Sequence, residues 1–308
     1  MRLATFSPLS GGAPRPALVS GDADLHDLAA EAQARSLAPE MDLRSMLGII
    51  RGGPSVRAAL DEIAREPRTQ ALSLLDVRLE APIPRPARNI FCVGWNYLEH
   101  FQEGAKTLKD DRVLPEHPVF FTKVPSTVNG PTGSIPFDAT VSTQLDWEVE
   151  LGVVLGKGGK NITEATAMEH VFGYTVVNDV TWRDVQRRHG GQWFKGKSLD
   201  GTCPMGPWIV TADGLSPDDL EVHCRVNGVT KQHSRTRFMY FRIPRLIREL
   251  SLGMTLEPGD IISTGTPSGV GYARTPPEWL KPGDLLETEI EGIGVLRNPV
   301  GETPARGS

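Results

Sequence analysis

The stretch that decides the fold is 145-LDWEVELGVVLG-156. In an extended chain successive side chains point to opposite faces, so Trp147, Val149 and Leu151 share one face and Asp146, Glu148 and Glu150 the other. The Gly-Val-Val-Leu-Gly run that follows is apolar on both faces, the pattern of a strand covered on two sides. Alternate glutamates are ordinary on a solvent-facing strand edge. Buried, they need a counter-charge, because an isolated carboxylate is costly to remove from water. The segment 173-GYTVVNDVTWRD-184 favours the buried reading, since there a second apolar strand ends at Asp179. Carboxylates from adjacent strand ends, with no Cys or His cluster beside them, would make an oxygen-only site suited to Mg²⁺ or Mn²⁺ rather than zinc.

Bulk properties agree with a β-heavy chain. Its 308 residues allow one large or two unequal domains, and 39% hydrophobic content supplies a core. The 32 Gly and 25 Pro indicate many turns rather than a helical bundle. A net charge of −5 without a Lys/Arg run argues against nucleic acid or an anionic membrane as partner. Cys92, Cys203 and Cys224 are odd in number and lack C-x-x-C spacing, which implies a reduced compartment without disulfides or structural zinc. With no basic-then-apolar leader and no apolar run of membrane length, the expectation is a soluble, cytoplasmic protein.

The first eighty residues differ from the rest. RLATFS and PALVSG read as short strands, and 42–66 carries apolar residues at helical spacing, split at Gly52-Gly53-Pro54. Three prolines in 81-APIPRPAR-88 disfavour helix and central strand alike. The predicted organisation is therefore a small N-terminal α+β domain (1–80), a Pro-rich linker (81–88) and a mostly β domain (89–308). Short helices are expected around 97–103, 163–169, 181–189 and 243–251. The first should start with Asn96 as N-cap and Glu99 three residues on, as in a capping box. The polar, charged segment 104–117 reads as a mobile loop able to close over a ligand.

Three further stretches bear on chemistry. His100 and Glu103 lie three apart on one helix face, where a carboxylate can orient an imidazole for general-base work. A solvated helix face is the plainer reading of the same pair. The segment 191-GQWFKGKS-198 matches a phosphate-loop pattern letter for letter, but Gly201, Pro204 and Gly206 bar the helix that such a loop requires. Finally, 264-TGTPSGVG-271 suits close approach of backbone to a ligand, or is a plain loop.

Taken in order, VGWNYLEH (93–100), FFTKVPS (120–126), DWEVELGVVLG (146–156), GYTVVNDVTWRD (173–184), KGKS (195–198), LEPGDIISTGTPSGVG (256–271) and LKPGDLLETEIEGIGVLRN (280–298) resemble the fumarylacetoacetate hydrolase family. The resemblance implies an α+β, mostly β fold, a β-roll of mixed sheets, in a homodimer. It also implies that Glu148, Glu150 and Asp179 hold one Mg²⁺ or Mn²⁺ with Lys197 beside it. His100 and Glu103 become the base and its orienter, as in the acylpyruvase-like branch. Arg183, Gln186 and Thr266 match positions lining the substrate pocket.

Trp95 stands where members acting on fumarylacetoacetate have a fourth metal carboxylate, which argues against that substrate. Trp95 and Trp182 are expected to reshape the pocket, and Arg187 and Gln192 to meet a distal carboxylate. The function implied is metal-dependent hydrolysis of a C–C bond in a 2,4-dioxo acid of acylpyruvate or fumarylpyruvate type. His100 would activate water, and the departing group would be held as a pyruvate enolate on the metal. Oxaloacetate decarboxylation, 2-hydroxyhepta-2,4-diene-1,7-dioate isomerisation or decarboxylation, and 2,4-dioxo sugar-acid hydrolysis would use the same residues. A non-catalytic binding homologue is the remaining class.

Overall fold

The computed structural model describes residues 1–21, 24–109, 111 and 113–302. The strand Val149–Leu155 is buried along its whole length. It pairs antiparallel with Val171–Asn178 on one side and with Ile261–Ser263 on the other. Alternation sorts its side chains: Val149, Leu151, Val153 and Leu155 enter one apolar cluster and Val154 a second. Each fully buried Val or Leu is worth about 1.5–3 kcal/mol, so a run apolar on both faces belongs in the middle of a layered core.

Each face of this sheet has its own cover. One face meets a five-stranded sheet, in which Glu221–Val226 lies between Val229–Arg235 and Leu285–Ile290, together with the helix Ile243–Ser251. The other face meets the helices Met46–Arg51 and Gly53–Arg65. Beyond Ile261–Ser263 the sheet continues in parallel to Ile90–Gly94, then antiparallel to Val119–Lys123. The mostly β, mixed-sheet class expected from sequence is the fold observed.

The N-terminal strands do not form a sheet of their own. Arg2–Pro8 pairs with Cys203–Thr211 through Arg2↔Val210 and Leu3↔Ile209, which extends the central sheet. Residues 81–88 form neither helix nor strand, and Ala81 and Ile83 are buried. We propose that the boundary at 81–88 separates folding units along the chain, although the sheet runs across it. Among the described residues no helix is long and apolar enough to cross a membrane.

Several local expectations are corrected. The helix begins at Leu98, after Tyr97, and the Asn96 side chain does not cap it. Asn96 instead donates to the carbonyls of Phe241 and Thr264 and accepts from the Phe241 N–H, so tertiary partners took the cap residue. That helix runs on to Leu108, through the first part of the expected 104–117 loop; Asp110 and Arg112 of that loop lie outside the described residues. The helix expected at 163–169 is a short 3₁₀ turn, Ala167–His170. Residues 145–155 are two strands: Leu145–Asp146 pairs with Thr181–Trp182, and the ladder resumes only at Val149.

Candidate metal centre and its pocket

Backbone locks set the positions of the acidic side chains. Where the ladder breaks, the Glu148 N–H donates to Asn178 Oδ1 at 3.0 Å and the Val149 N–H to Gln232 Oε1 at 3.1 Å. The Asp179 N–H donates to the Glu148 carbonyl at 2.8 Å, so the two strand ends are tied to each other. The result is that Glu148, Glu150 and Asp179, all buried, bring carboxylate oxygens within 4.8 Å of one another. Asp146, placed by alternation on the same face, is not in this group. Its strand has ended, and it accepts from Arg183 Nε at 2.7 Å and from the N–H groups of Gly271 and Tyr272.

Two of the three carboxylates have cations of their own. Lys197 Nζ donates to Glu148 at 2.7 Å and to Asp179 at 2.6 Å, and Arg183 donates a second nitrogen to Glu148 at 2.6 Å. Lys123, fully buried, donates to the other oxygen of Asp179 at 2.8 Å and to the Val180 carbonyl at 3.1 Å. Burial alone would push the Glu148 carboxyl up, but Lys197 and Arg183 outweigh it and hold the group well below the usual carboxylate range. Burial likewise works against the charge on Lys197, and Asp179 and Glu148 more than reverse it.

Glu150 is different. It accepts from Ser263 Oγ at 2.6 Å and from the Gly265 N–H at 2.9 Å, and among the described residues no cation forms an ion pair with it. Burial first, then the charges of Asp179 and Glu148, push its carboxyl up to about 8. A buried acid without a cation, beside two others, fits a hard divalent ion with oxygen ligands.

Above this floor lies a cavity of about 330 Å³. Glu148, Glu150, Lys197, Arg183, Gln186, Thr266 and His100 all line it. Structure thus brings the sequence-selected residues to one place, with Asp179 packed beneath the floor and Glu103 behind the wall. His100 Nδ1 meets Glu103 Oε1 at 2.8 Å, and the Gly269 N–H donates to the same carboxylate, so the imidazole is oriented from the loop 264–271 as well as from its own helix. Thr266 Oγ1 accepts from Gln232 Nε2 at 2.8 Å. Arg183 lies 4.5 Å from the centre of the Tyr272 ring and Arg187 5.1 Å from it.

Trp95 closes one side, with a positive φ of 54° and an edge-to-face contact with Trp193 at 4.8 Å. Trp182, expected in the pocket, packs in the core against Phe137 at 5.6 Å. Gln192 does not line the cavity among the described residues, whereas Arg187 does. The phosphate-loop match is a single helical turn, Phe194–Lys197, whose lysine is committed to carboxylates. Sequence reasoning assigned no role to Lys123, Asp146, Gln232 or Tyr272. The available signal for Lys123 was a lysine closing the apolar run VFFTK.

Fold and site together define a class: β-rich proteins that gather buried carboxylates at the ends of central strands. The model of the fumarylacetoacetate (FAA) hydrolase C-terminal family matches residues 89–301, and the chain belongs to that family. Among its relatives, the oxaloacetate tautomerase YisK of Bacillus subtilis is 49% identical over 247 residues, which span 79% of this chain and 80% of YisK. Among solved structures, a fumarylacetoacetate hydrolase from Exiguobacterium antarcticum superposes with a TM-score of 0.82 at 39% identity, covering 98% of this chain and 100% of the other. A maleylpyruvate hydrolase from Sphingobium sp. SYK-6, solved with manganese(II) and pyruvate, gives a TM-score of 0.75 at 30% identity, covering 98% and 99%.

Proposed function

We propose that this chain is a divalent-metal-dependent enzyme that interconverts the keto and enol forms of oxaloacetate. The carrying observation is one pocket lined by a Glu-oriented histidine, His100, and by the buried Glu148 and Glu150, with Asp179 close to both; among the described residues no cation forms an ion pair with Glu150. The 49% identity to an oxaloacetate tautomerase supports this reading over the C–C hydrolase expected from sequence.

Tautomerisation asks little of the protein beyond moving a proton. A hydrogen leaves C3 and one arrives at the C2 oxygen; no carbon–carbon bond breaks and no water is consumed. Glu148, Glu150 and Asp179 would hold the cation, which when bound supplies Lewis acidity to the oxygens of a 2-oxo acid. Glu103 accepts at Nδ1, which fixes the tautomer that leaves His100 Nε2 as the proton acceptor at C3. The same nitrogen returns the proton in the reverse direction. Thr266 and Gln186 offer hydrogen bonds to substrate oxygens from the cavity lining. Trp95 and Trp193 also line the cavity and give it an apolar side.

C–C hydrolysis of an acylpyruvate is the second reading, favoured by the likeness to a maleylpyruvate hydrolase solved with a pyruvate. The test follows the enol absorbance of oxaloacetate with Mg²⁺, with EDTA and with His100→Ala, and measures pyruvate release from acylpyruvates in parallel. We expect Mg²⁺-dependent tautomerisation that His100→Ala reduces to the rate of free Mg²⁺. Faster pyruvate release from an acylpyruvate than tautomerisation would overturn the first reading in favour of the second.

A further inference from the structure

A second group of metal-binding side chains lies on the outer face of the five-stranded sheet. Along Glu221–Val226, Val222, Cys224 and Val226 point into the core, so Glu221, His223 and Arg225 point out. The hairpin turn Asn227-Gly228 has both residues at positive φ, 52° and 76°, as in the type I′ turns that match strand twist. The resulting register sets His223 directly opposite His233 on the edge strand Val229–Arg235, and on its other side opposite Glu289.

Directly opposed residues have Cβ atoms about 4.5–5.5 Å apart, within reach of a shared ligand. Here the two imidazoles stack with centroids 4.3 Å apart, and His223 Nε2 meets Glu221 Oε2 at 3.1 Å. Ligand atoms of Glu221, His223 and His233 all lie within 4.8 Å of one another. Arg235 Nη1 donates to the other oxygen of Glu221 at 2.9 Å, which orients the carboxylate as an outer-shell partner orients a ligand. None of these residues lines the pocket described above.

We propose that Glu221, His223 and His233 form a second metal site, for a borderline divalent cation of the zinc class. Two imidazoles and one carboxylate suit Zn²⁺ and its late first-row neighbours, whereas the carboxylate-only floor of the pocket suits Mg²⁺ or Mn²⁺. His233 is exposed, so its ring turns from the stacked pose towards the shared ion at little cost. The cation takes the place of the proton between His223 and Glu221 and ties the edge strand to its neighbour. The inference is independent of the reaction proposed for the pocket.

The test is Zn²⁺ titration calorimetry of the full chain in a large excess of Mg²⁺, comparing the parent with His233→Gln and with His223→Gln/His233→Gln. In the parent we expect a Zn²⁺-binding event that weakens by roughly 10- to 100-fold or more in His233→Gln and disappears in the double variant. Zn²⁺ should also raise the melting temperature of the parent and not that of the double variant, because only a ligand of the folded state stabilises it. Equal Zn²⁺ binding by all three proteins would assign the ion to the pocket and overturn the site. Absence of Zn²⁺ binding by the parent would overturn it equally.

Discussion

On the floor of the pocket, Glu148 and Asp179 are gripped by Lys197, Arg183 and Lys123; Asn178 holds the Glu148 N–H, Gln232 holds the Val149 N–H, and the Asp179 N–H is held by the Glu148 carbonyl. On the wall, His100 sits on the helix Leu98–Leu108, which follows Trp95 in a left-handed backbone conformation, and among the described residues its Nδ1 is held by Glu103. The floor is buried and cross-braced by ion pairs whose cations come from the helices Arg183–Arg188 and Phe194–Lys197 and the strand Val119–Lys123. The wall has fewer ties and carries His100, the proposed proton-transfer group. Under the proposed function the two regions would divide the work, the floor fixing charge and the wall moving a proton, and each should fail in its own way.

The sharpest break between the two is Glu150→Gln. The amide oxygen still accepts from Ser263 and Gly265, so the fold should persist while Mg²⁺ binding is lost. Turnover of oxaloacetate should fall on the order of 10³-fold or more, since the cation supplies several kcal/mol of charge stabilisation. Calorimetric Mg²⁺ titration beside the enol assay checks both halves; a metal-binding Glu150→Gln enzyme would mean that the floor is not a ligand set. On the wall, His100→Ala should lower kcat by about 10²- to 10⁴-fold and leave Mg²⁺ affinity unchanged. A parallel loss of metal affinity would erase the distinction between wall and floor.

Lys197→Met should destabilise the metal-free protein by about 3 kcal/mol, because two buried carboxylates lose a shared cation while Arg183 and Lys123 stay. Urea unfolding with and without Mg²⁺ sharpens this: the ion should recover part of the loss, and no recovery would separate Lys197 from the metal ligands. The smallest effect belongs to Gln232→Ala, which leaves the Val149 N–H buried without an acceptor and should cost about 1–3 kcal/mol, again read by urea unfolding. Unchanged stability there would mean that water replaces the amide and that the brace is dispensable.

What sequence revealed and what it hid follow from range. Glu148, Glu150 and Asp179 were legible because alternation and strand ends are local properties, and Glu-x-Glu before an apolar run is an anomaly visible in a few letters. The nearness of His100 and Glu103 was legible because three residues of helix bring them together, but spacing alone favoured a solvated helix face and only the family resemblance gave the pair a role. Lys123 was not, since its partner Asp179 lies 56 residues away and nothing near Lys123 announces it. Gln232 reaches Val149 across 83 residues from the second sheet, and no local pattern marks it. Asn96 was misread for the same reason: its letters fit a cap, but its amide found Phe241, 145 residues on. Asp146 shared the predicted face, yet the break at residues 147–148 sent it to Arg183.

The buried lysine pair has one more consequence. Asp146, Glu148, Glu150 and Asp179 face Lys123, Arg183 and Lys197, so the interior set carries a single negative charge, and none when Glu150 holds a proton. Such a nearly neutral set should let the chain fold without a metal ion. With Glu150 ionised, a divalent cation would leave the set with one surplus positive charge in a low-dielectric setting, which favours an anionic oxo acid over a neutral one. If the proposed metal and oxo acid bind together, each should strengthen the other's binding by the same factor, by thermodynamic reciprocity.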